Sequence, residues 1–489
     1  MTDPLFEARA AKRRELLTSG LDPYPARVPS HTPIAVLLAE YAELDAESRS
    51  TDRYSAVGRV TGARKMGKAA FFDLRDGTGK IQVHATLDGL GEEAFAAFLE
   101  SDIGDFLAVS GDVFRTKRGE LSIGADEVRL LSKALRPLPE KWHGLKDPEL
   151  RHRHRSLDLI SNSEIRDGFV KRSKMIAAIR RTLDEAGFLE VETPVLQPIP
   201  GGANARPFIT HHNALDMDLY MRIALELYLK RLLIGGLDRV YEIGKCFRNE
   251  GVSTEHFPEF TMLEVYQAYT DYHGMMELAE TLIPAGLMAA RGSLTVEFKG
   301  VSIDFTPPWP RRSMLELITQ ASGIDISDPS AVSIRRQADE KGIRLPGNQV
   351  AAWIDFLFET YVEPDLLQPT FIVDYPVALS PLAKRKADDE RVVERFELFA
   401  AGMEIANAFS ELNDPIDQRD RFLEQEQLRA AGDDEAQRVD EDFLFAMEHG
   451  MPPAGGMGIG IDRLAMLCTG QESIRDVILF PTLRRKDDE

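Results

Sequence analysis

Hydrophobic and polar positions change period along this chain, and the changes divide it. Asp3 and Pro4 stand where a helix takes its cap and first residue, and "LFEARAAKRRELLTS" carries the helical pattern to a stop at Gly20. A segment rich in Pro, Ser and acidic residues then leads to about Arg53. From there to about Leu131 the pattern switches to short alternating runs: "YSAVGRVTGAR", "AFFDLRDGTGKIQVHAT" and "DFLAVSGDVFRTKRGELSIGADEVRLL". "RDGTGK" reads as a hairpin turn with glycines at positive φ, and "GEEAFAAFLE" as one helical interlude.

Such runs predict a small Greek-key barrel of the oligonucleotide-binding (OB) type, although any small β-barrel shows the same alternation. "RPLPEKWHGLKDPELRHRHRSLDLI" reads as a linker. "EIRDGFVKRSKMIAAIRRTLDEA" is helical in pattern and ends at Gly187; "FLEVETPVL" follows as a strand closed by Pro194. Beyond it strands and helices alternate without a regular βα repeat, which predicts an α+β domain with a largely antiparallel sheet.

Two stretches carry candidate chemistry. If "YEIGKCFRNE" and "FTMLEVYQAY" pair as antiparallel strands around a loop of residues 251–259, Arg248 and Glu250 share one face of the first. Phe260, Glu264 and Tyr266 share one face of the second, a pattern that any half-solvated hairpin also shows. In "PPAGGMGIGIDRLAMLCTG", alternate glycines at Gly456, Gly458 and Gly460 strip one strand face of side chains, so that a flat ligand can lie on the backbone. Ile461 stands where a dinucleotide fingerprint wants glycine, and Arg463 opens the next helix.

Composition is that of a globular protein, 43% hydrophobic and 28% charged over 489 residues. The start of the chain is charged where a signal peptide would be apolar, and no long apolar run follows, so a cytoplasmic protein with no membrane partner is expected. Cys246 and Cys468 are too few for a disulfide framework or a cysteine zinc site. A net charge of −21 excludes indiscriminate nucleic-acid binding. Basic clusters at Lys133 to Arg155 and Arg64 to Lys80 nonetheless suit a specific nucleic-acid partner.

Together these pieces resemble the class II aminoacyl-tRNA synthetases, and within them the lysine-specific branch. The resemblance rests on "FLEVETPVL", on "FRNE" with "HFPEF", and on the glycine strand with Arg463. It also rests on "GGANARPFITHHNALDMDLYMRIALELYLKRL", "IANAFSELND" and "SIRDVILFP", and covers about residues 54–489. It implies an α+β chain. Residues 1–52 would be a helical extension, 53–135 an OB-fold anticodon-binding domain and 136–163 a linker. Residues 164–489 would form a catalytic domain built on an antiparallel sheet flanked by helices. The implied activity is ATP-dependent activation of L-lysine and its transfer to tRNA(Lys), by a homodimer, with two or three Mg2+ ions.

Residue by residue, the resemblance makes Arg248 and Arg463 catalytic, with Arg248 bridging the amino-acid carboxylate and the α-phosphate and Arg463 on the far phosphates. Phe260 would stack on adenine, with Glu250, His256, Gly458 and Gly460 against the nucleotide, and Glu397 and Glu404 would hold the metal. For lysine it implies Glu226 and Gly202 at the α-amino group, Asn407 at the carboxylate and Phe409 along the stem. Glu411 and Tyr266, supported by Glu264, would take the ε-ammonium. Buried carboxylates are the physical partners that such a cation needs, and an aspartate or asparagine enzyme would need a cation or amide there instead. On the barrel, Arg64, Phe71, Gln82 and Glu120 match the anticodon-binding residues; Phe71 and Phe72 must point opposite ways, and Phe71 is expected to be the exposed one.

Three positions depart from the family pattern: Glu255, which would repel a triphosphate if it pointed inward; Phe257, which cannot donate a hydrogen bond; and Ala408, whose methyl would crowd the lysine stem. Other features point away from chemistry: His152 and His154 in a solvated basic segment, His211 and His212 as packing, and Lys384 to Lys386 as a surface turn. The alternatives are an aspartyl or asparaginyl enzyme, a non-catalytic RNA-binding or regulatory paralogue, and a ligase that lysylates proteins, whose relatives lack the barrel.

Overall fold

The computed structural model describes residues 3–139, 145–326, 331–432 and 434–484, so residues 140–144 of the expected linker lie outside the described residues. The chain forms two compact units, Met1–Lys146 and Asp147–Glu489.

In the first unit, β1 (Arg49–Met66), β2 (Ala69–Arg75), β3 (Lys80–Thr86), β4 (Phe106–Arg115) and β5 (Leu121–Ser132) close a barrel in the order β1-β2-β3-β5-β4. The long β1 pairs with β4 along its first half and β2 along its second, which lets one strand turn the barrel's corner. Phe72, Leu74, Val83 and Ile123 alternate into the barrel core, and the interlude helix Glu92–Leu99 covers it, with Phe98 stacked on Phe72 at 4.0 Å. The helix Pro4–Thr18 forms with Asp3 as its cap, accepting from the Leu5 amide at 3.0 Å.

The "RDGTGK" turn works differently from expectation. Neither Gly77 nor Gly79 has positive φ. Instead the Asp76 carboxylate accepts from the amides of Thr78 (2.7 Å) and Gly79 (2.8 Å), a side-chain turn that needs no left-handed residue. Lys133, counted above with the surface cations, is buried against Asp102 (2.5 Å) and Asp105 (2.7 Å).

The second unit adds, among its described residues, β6 (Leu189–Glu190), β7 (Leu196–Gln197), β8 (Ile209–His212), β9 (Met217–Met221), β10 (Arg239–Phe247), β11 (Glu259–Ala268), β12 (Thr295–Phe298), β13 (Val301–Asp304), β14 (Arg311–Ser313), β15 (Thr370–Val373), β16 (Arg395–Ala400), β17 (Met403–Ser410) and β18 (Ala454–Gly460). Eight of them form one sheet, β14-β15-β16-β17-β18-β11-β10-β6, antiparallel from β15 to β10 and parallel at both edges. Period two divides its side chains. Leu263, Val265, Ala406, Ala408, Met457 and Ile459 face one way and pack against the helices Ser163–Glu185 and Tyr272–Arg291. The opposite face is left for a cleft.

Two strand expectations change. Arg248 and Glu250 follow β10 rather than share a face of it, because the chain turns away after Phe247. "FLEVETPVL" is not one strand: after β6 the Glu242 carboxylate holds the Thr193 amide (3.0 Å) and hydroxyl (2.7 Å) in place of a backbone ladder. The expected linker contains helices Pro148–Arg153 and Arg155–Ser161. There His152 is buried with Nε2 3.0 Å from Asp476, and Arg155 is buried and paired with Asp158 at 2.5 Å, whereas His154 is exposed, so only part of "RHRHRS" is a solvated run. His211 and His212 are exposed on β8, not packed.

Candidate active site

A cleft of about 740 Å³ opens on the free face of the large sheet. Its floor follows from register. Opposite Gly458 of β18 stand Glu264 of β11 and Asn407 of β17, and opposite Gly456 stand Tyr266 and Phe409. One strand further, β16 adds Glu397 beside Asn407 and Arg395 beside Phe409. Large polar side chains thus flank a central strand that has none.

The glycines serve those side chains as much as a ligand. A Cβ on Gly456 would lie 2.1 Å from Oε1 of Glu411 and 2.4 Å from the Tyr266 ring, and one on Gly458 3.0 Å from Met262. Every residue expected to bind amino acid or nucleotide lines the cleft except Glu411, which is buried behind Gly456 and Tyr266. Gly202, Glu226, Glu250, Phe260, Glu404 and Gly460 are among the liners.

At the inner end the carboxylates of Glu226, Glu264 and Glu411 are all buried. Glu264 accepts from the Leu225 amide (2.9 Å) and the Tyr266 hydroxyl (3.0 Å); burial, with Glu226 nearby, pushes it up to about 7. Burial pushes Glu411 up to about 8 against the pull of Lys230, and among the described residues its Oε1 has no hydrogen-bond partner. The sequence reading found no cation here. The helix Glu226–Ile234 supplies one: Lys230, a turn after Glu226, places its ammonium 2.5 Å from Glu226 and 2.5 Å from Glu411, and 5.3 Å from the Phe409 ring centroid. The i, i+4 spacing of "ELYLK" was its only signal.

At the outer end Arg248 lies 5.1 Å over the Phe260 ring. Arg463 donates to the Glu404 carbonyl (2.7 Å) and carboxylate (3.3 Å), and to Nε2 of His256 at 3.1 Å. Burial, then Arg463, hold the His256 imidazole below its ordinary range, as an acceptor requires. Arg395, also missed, pairs with Glu397 and donates to Asn407 (3.1 Å), and Tyr375 donates to Glu397 at 2.8 Å. Burial pushes Glu397 up to about 7 although Arg395 opposes it, and the charge of Glu404 adds to the rise.

Glu255 lines the cleft, where Lys299 at 3.6 Å offsets its charge, and Phe257 borders the cleft from the main core. Ala408 does not face the cleft at all: Asn407 and Phe409 do, and the alternation sends its methyl into the helix-covered core. Lys384 donates to Asn413 at 2.7 Å and Lys386 is paired with Asp374, so the "KRK" turn is tied down.

The barrel carries a second candidate surface. Phe72 is fully buried, and Phe71 is half-buried on the outer face. There it stacks on His84 at 4.5 Å with Arg64 6.0 Å over its ring. Gln82 lies on the same side of its strand but is buried, accepting from the Ser122 hydroxyl at 3.1 Å, and Glu120 is exposed in the turn before β5. His84 was legible only as the residue two after Gln82.

Comparison with known proteins adds to this geometry. A family model described as tRNA synthetases class II (D, K and N) matches residues 147–484, and one described as an OB-fold nucleic acid binding domain matches residues 54–131. The chain is 54% identical over 487 residues to a protein of Pelotomaculum thermopropionicum named lysine-tRNA ligase, covering 99% of this chain and 95% of that one. Its likeness to the protein of the same name from Moorella thermoacetica is 54% over 488 residues, covering 99% and 98%. For that of Chloroflexus aurantiacus it is 53% over 488 residues, covering 98% of each.

Proposed function

The chain belongs to the class II tRNA synthetases, and from that premise we propose that it activates L-lysine with ATP and transfers the lysyl group to tRNA(Lys). The observation that carries this reading is the inner end of the cleft, where Glu226, Glu264, Glu411 and the Tyr266 hydroxyl converge in a buried space. Such a space favours a substrate that brings its own positive charge, because buried carboxylates left without a cation are costly. An acidic substrate would need a free cation there, and Lys230 is already shared by two carboxylates.

In the first step a lysine carboxylate oxygen bonds to the α-phosphorus of ATP while the bond to the β-phosphate oxygen breaks, and pyrophosphate leaves with that electron pair. In the second, a terminal ribose hydroxyl of the tRNA takes the acyl group and AMP leaves. The protein's part is positioning and charge stabilisation. Arg248, next to the ring of Phe260, is the group for the carboxylate and α-phosphate, and Phe260 the platform for adenine. Arg463 would exchange its contacts with Glu404 and His256 for the far phosphates. Glu250, Gly458 and Gly460 border the nucleotide. Glu226 and the carbonyl of Gly202 would take the α-amino group, Asn407 the carboxylate and Phe409 the stem; Glu411 and Tyr266, with Glu264, would take the ε-ammonium.

Glu397 and Glu404 fit Mg2+: they are hard oxygen donors on neighbouring strands, and the mutual repulsion that helps raise Glu397 is what a divalent cation relieves. When bound, the ion supplies shielding of the phosphate charges. On the barrel, Phe71 and Arg64 would stack on anticodon bases, and Gln82 and Glu120 would read base edges. Leu196, Ile209, Leu215 and Met217 are exposed apolar side chains of the small sheet β7-β9-β8 and its turn, a surface suited to a homodimer, which sedimentation tests directly. No described helix is long and apolar enough to cross a membrane; a cytoplasmic location completes the reading.

The test is ATP-pyrophosphate exchange with each amino acid in turn, with Mg2+ and no tRNA. Exchange with lysine alone is expected. Exchange with aspartate or asparagine would replace the substrate assignment, and none at all would leave an RNA-binding paralogue.

A further inference from the structure

Lys230 takes no part in the chemistry above, yet it is fully buried at its centre. From the helix Glu226–Ile234 it reaches across to Glu411, beyond the end of β17, and so ties two walls of the pocket together. The groups that face this pair are few. Glu226 shares the helix, Glu264 and Tyr266 come from β11, the Phe409 ring from β17, and Arg395 of β16 acts on Glu226. Arg248 acts on Glu264.

Glu226 and Glu411 thus share the Lys230 ammonium, while Glu264 is held by the Leu225 amide and the Tyr266 hydroxyl. We infer that Lys230 is a positioning residue that holds the Glu226 and Glu411 carboxylates in register on the two walls of the pocket, so that each meets one ammonium group of the substrate. The inference rests on the lysine reading of the same site.

Burial works to lower the Lys230 ammonium, and Glu226 and Glu411 outweigh it, so Lys230 keeps its charge. Without this cation the Glu411 carboxyl, already pushed up to about 8, would rise further and hold its proton until lysine displaced it.

The experiment measures the Michaelis constants for lysine and ATP in pyrophosphate exchange, from about pH 6.5 to about pH 9.5, for the unaltered protein, K230M, K230R, E411Q and K230M/E411Q. In the unaltered protein the lysine constant should fall with rising pH and level off near pH 8. In K230M it should be at least about tenfold higher at neutral pH and still be falling at about pH 9, while the constant for ATP changes less than about threefold. K230R should restore the plateau. In the E411Q background, where the pocket has one carboxylate fewer, removing Lys230 should change the lysine constant less than about threefold, a non-additivity that lost packing would not produce. Additive losses, or equal rises for lysine and ATP with an unchanged pH profile, overturn the inference. Absence of lysine-dependent exchange in the unaltered protein would instead overturn the reading on which it rests.

Discussion

At the inner end of the cleft, Glu226, Glu264 and Glu411 are buried together, and a lysine from the chain itself pairs with Glu226 and Glu411. On the barrel's outer face Arg64 is exposed, Phe71 and His84 are half-buried, and their contacts are stacks with one another. The first arrangement is costly to disturb, because each group removed leaves another charged and buried. The second is cheap to disturb, because water replaces whatever is lost. A small cationic substrate calls for the first kind of site, and single-stranded bases, each with a ring face to offer, for the second.

Arg248→Ala probes the outer part of the cleft, where charge develops in the reaction, and should lower the rate of lysine-dependent exchange by about a thousandfold or more. A loss below about tenfold would remove Arg248 from the chemistry. Glu411→Gln keeps the shape of the inner pocket and removes a charge; it should raise the lysine Michaelis constant by about a hundredfold and that for ATP by less than about threefold. An equal rise in both would mean that the two ends of the cleft are not separate sites. Gly456→Ala puts a methyl against Glu411 and Tyr266 and should raise the lysine constant about tenfold, with about 1–3 kcal/mol lost from thermal or denaturant stability. If lysine affinity were unchanged, the glycine would be serving the backbone alone. Phe71→Ala, on the barrel, should weaken tRNA charging by about tenfold and leave exchange without tRNA unchanged, since stacking on a base contributes about 1–3 kcal/mol. A matching loss of exchange would show that Phe71 supports folding.

Much of this was legible in the sequence, and the exceptions share a cause. Period two placed Glu264 and Tyr266 on one face, and the same rule, applied to β17, would have sent Ala408 away from the lysine stem once Asn407 and Phe409 were placed in the pocket. The alternating glycines signalled open space, but not that Glu411 and Tyr266 fill part of it, because that depends on which strands become neighbours. Lys133 read as part of a basic cluster, and nothing in the pattern singled out Lys230 or Arg395, since a single sequence does not say which carboxylates from distant segments will surround them. The Asp76 turn and the broken strand at Thr193 were missed for a related reason: in each, a side-chain carboxylate takes over hydrogen bonds normally made by backbone.

The central claim is that buried charge at the inner end of the cleft selects the substrate. It is tested most directly by comparing lysine with norleucine, which is lysine without its ε-amino group, as substrates in pyrophosphate exchange. The account predicts that kcat/KM for lysine exceeds that for norleucine by about ten-thousandfold, because norleucine brings no ammonium to the buried polar groups at the inner end and leaves them unsatisfied. A preference of about tenfold, the size expected from shape alone, would contradict it.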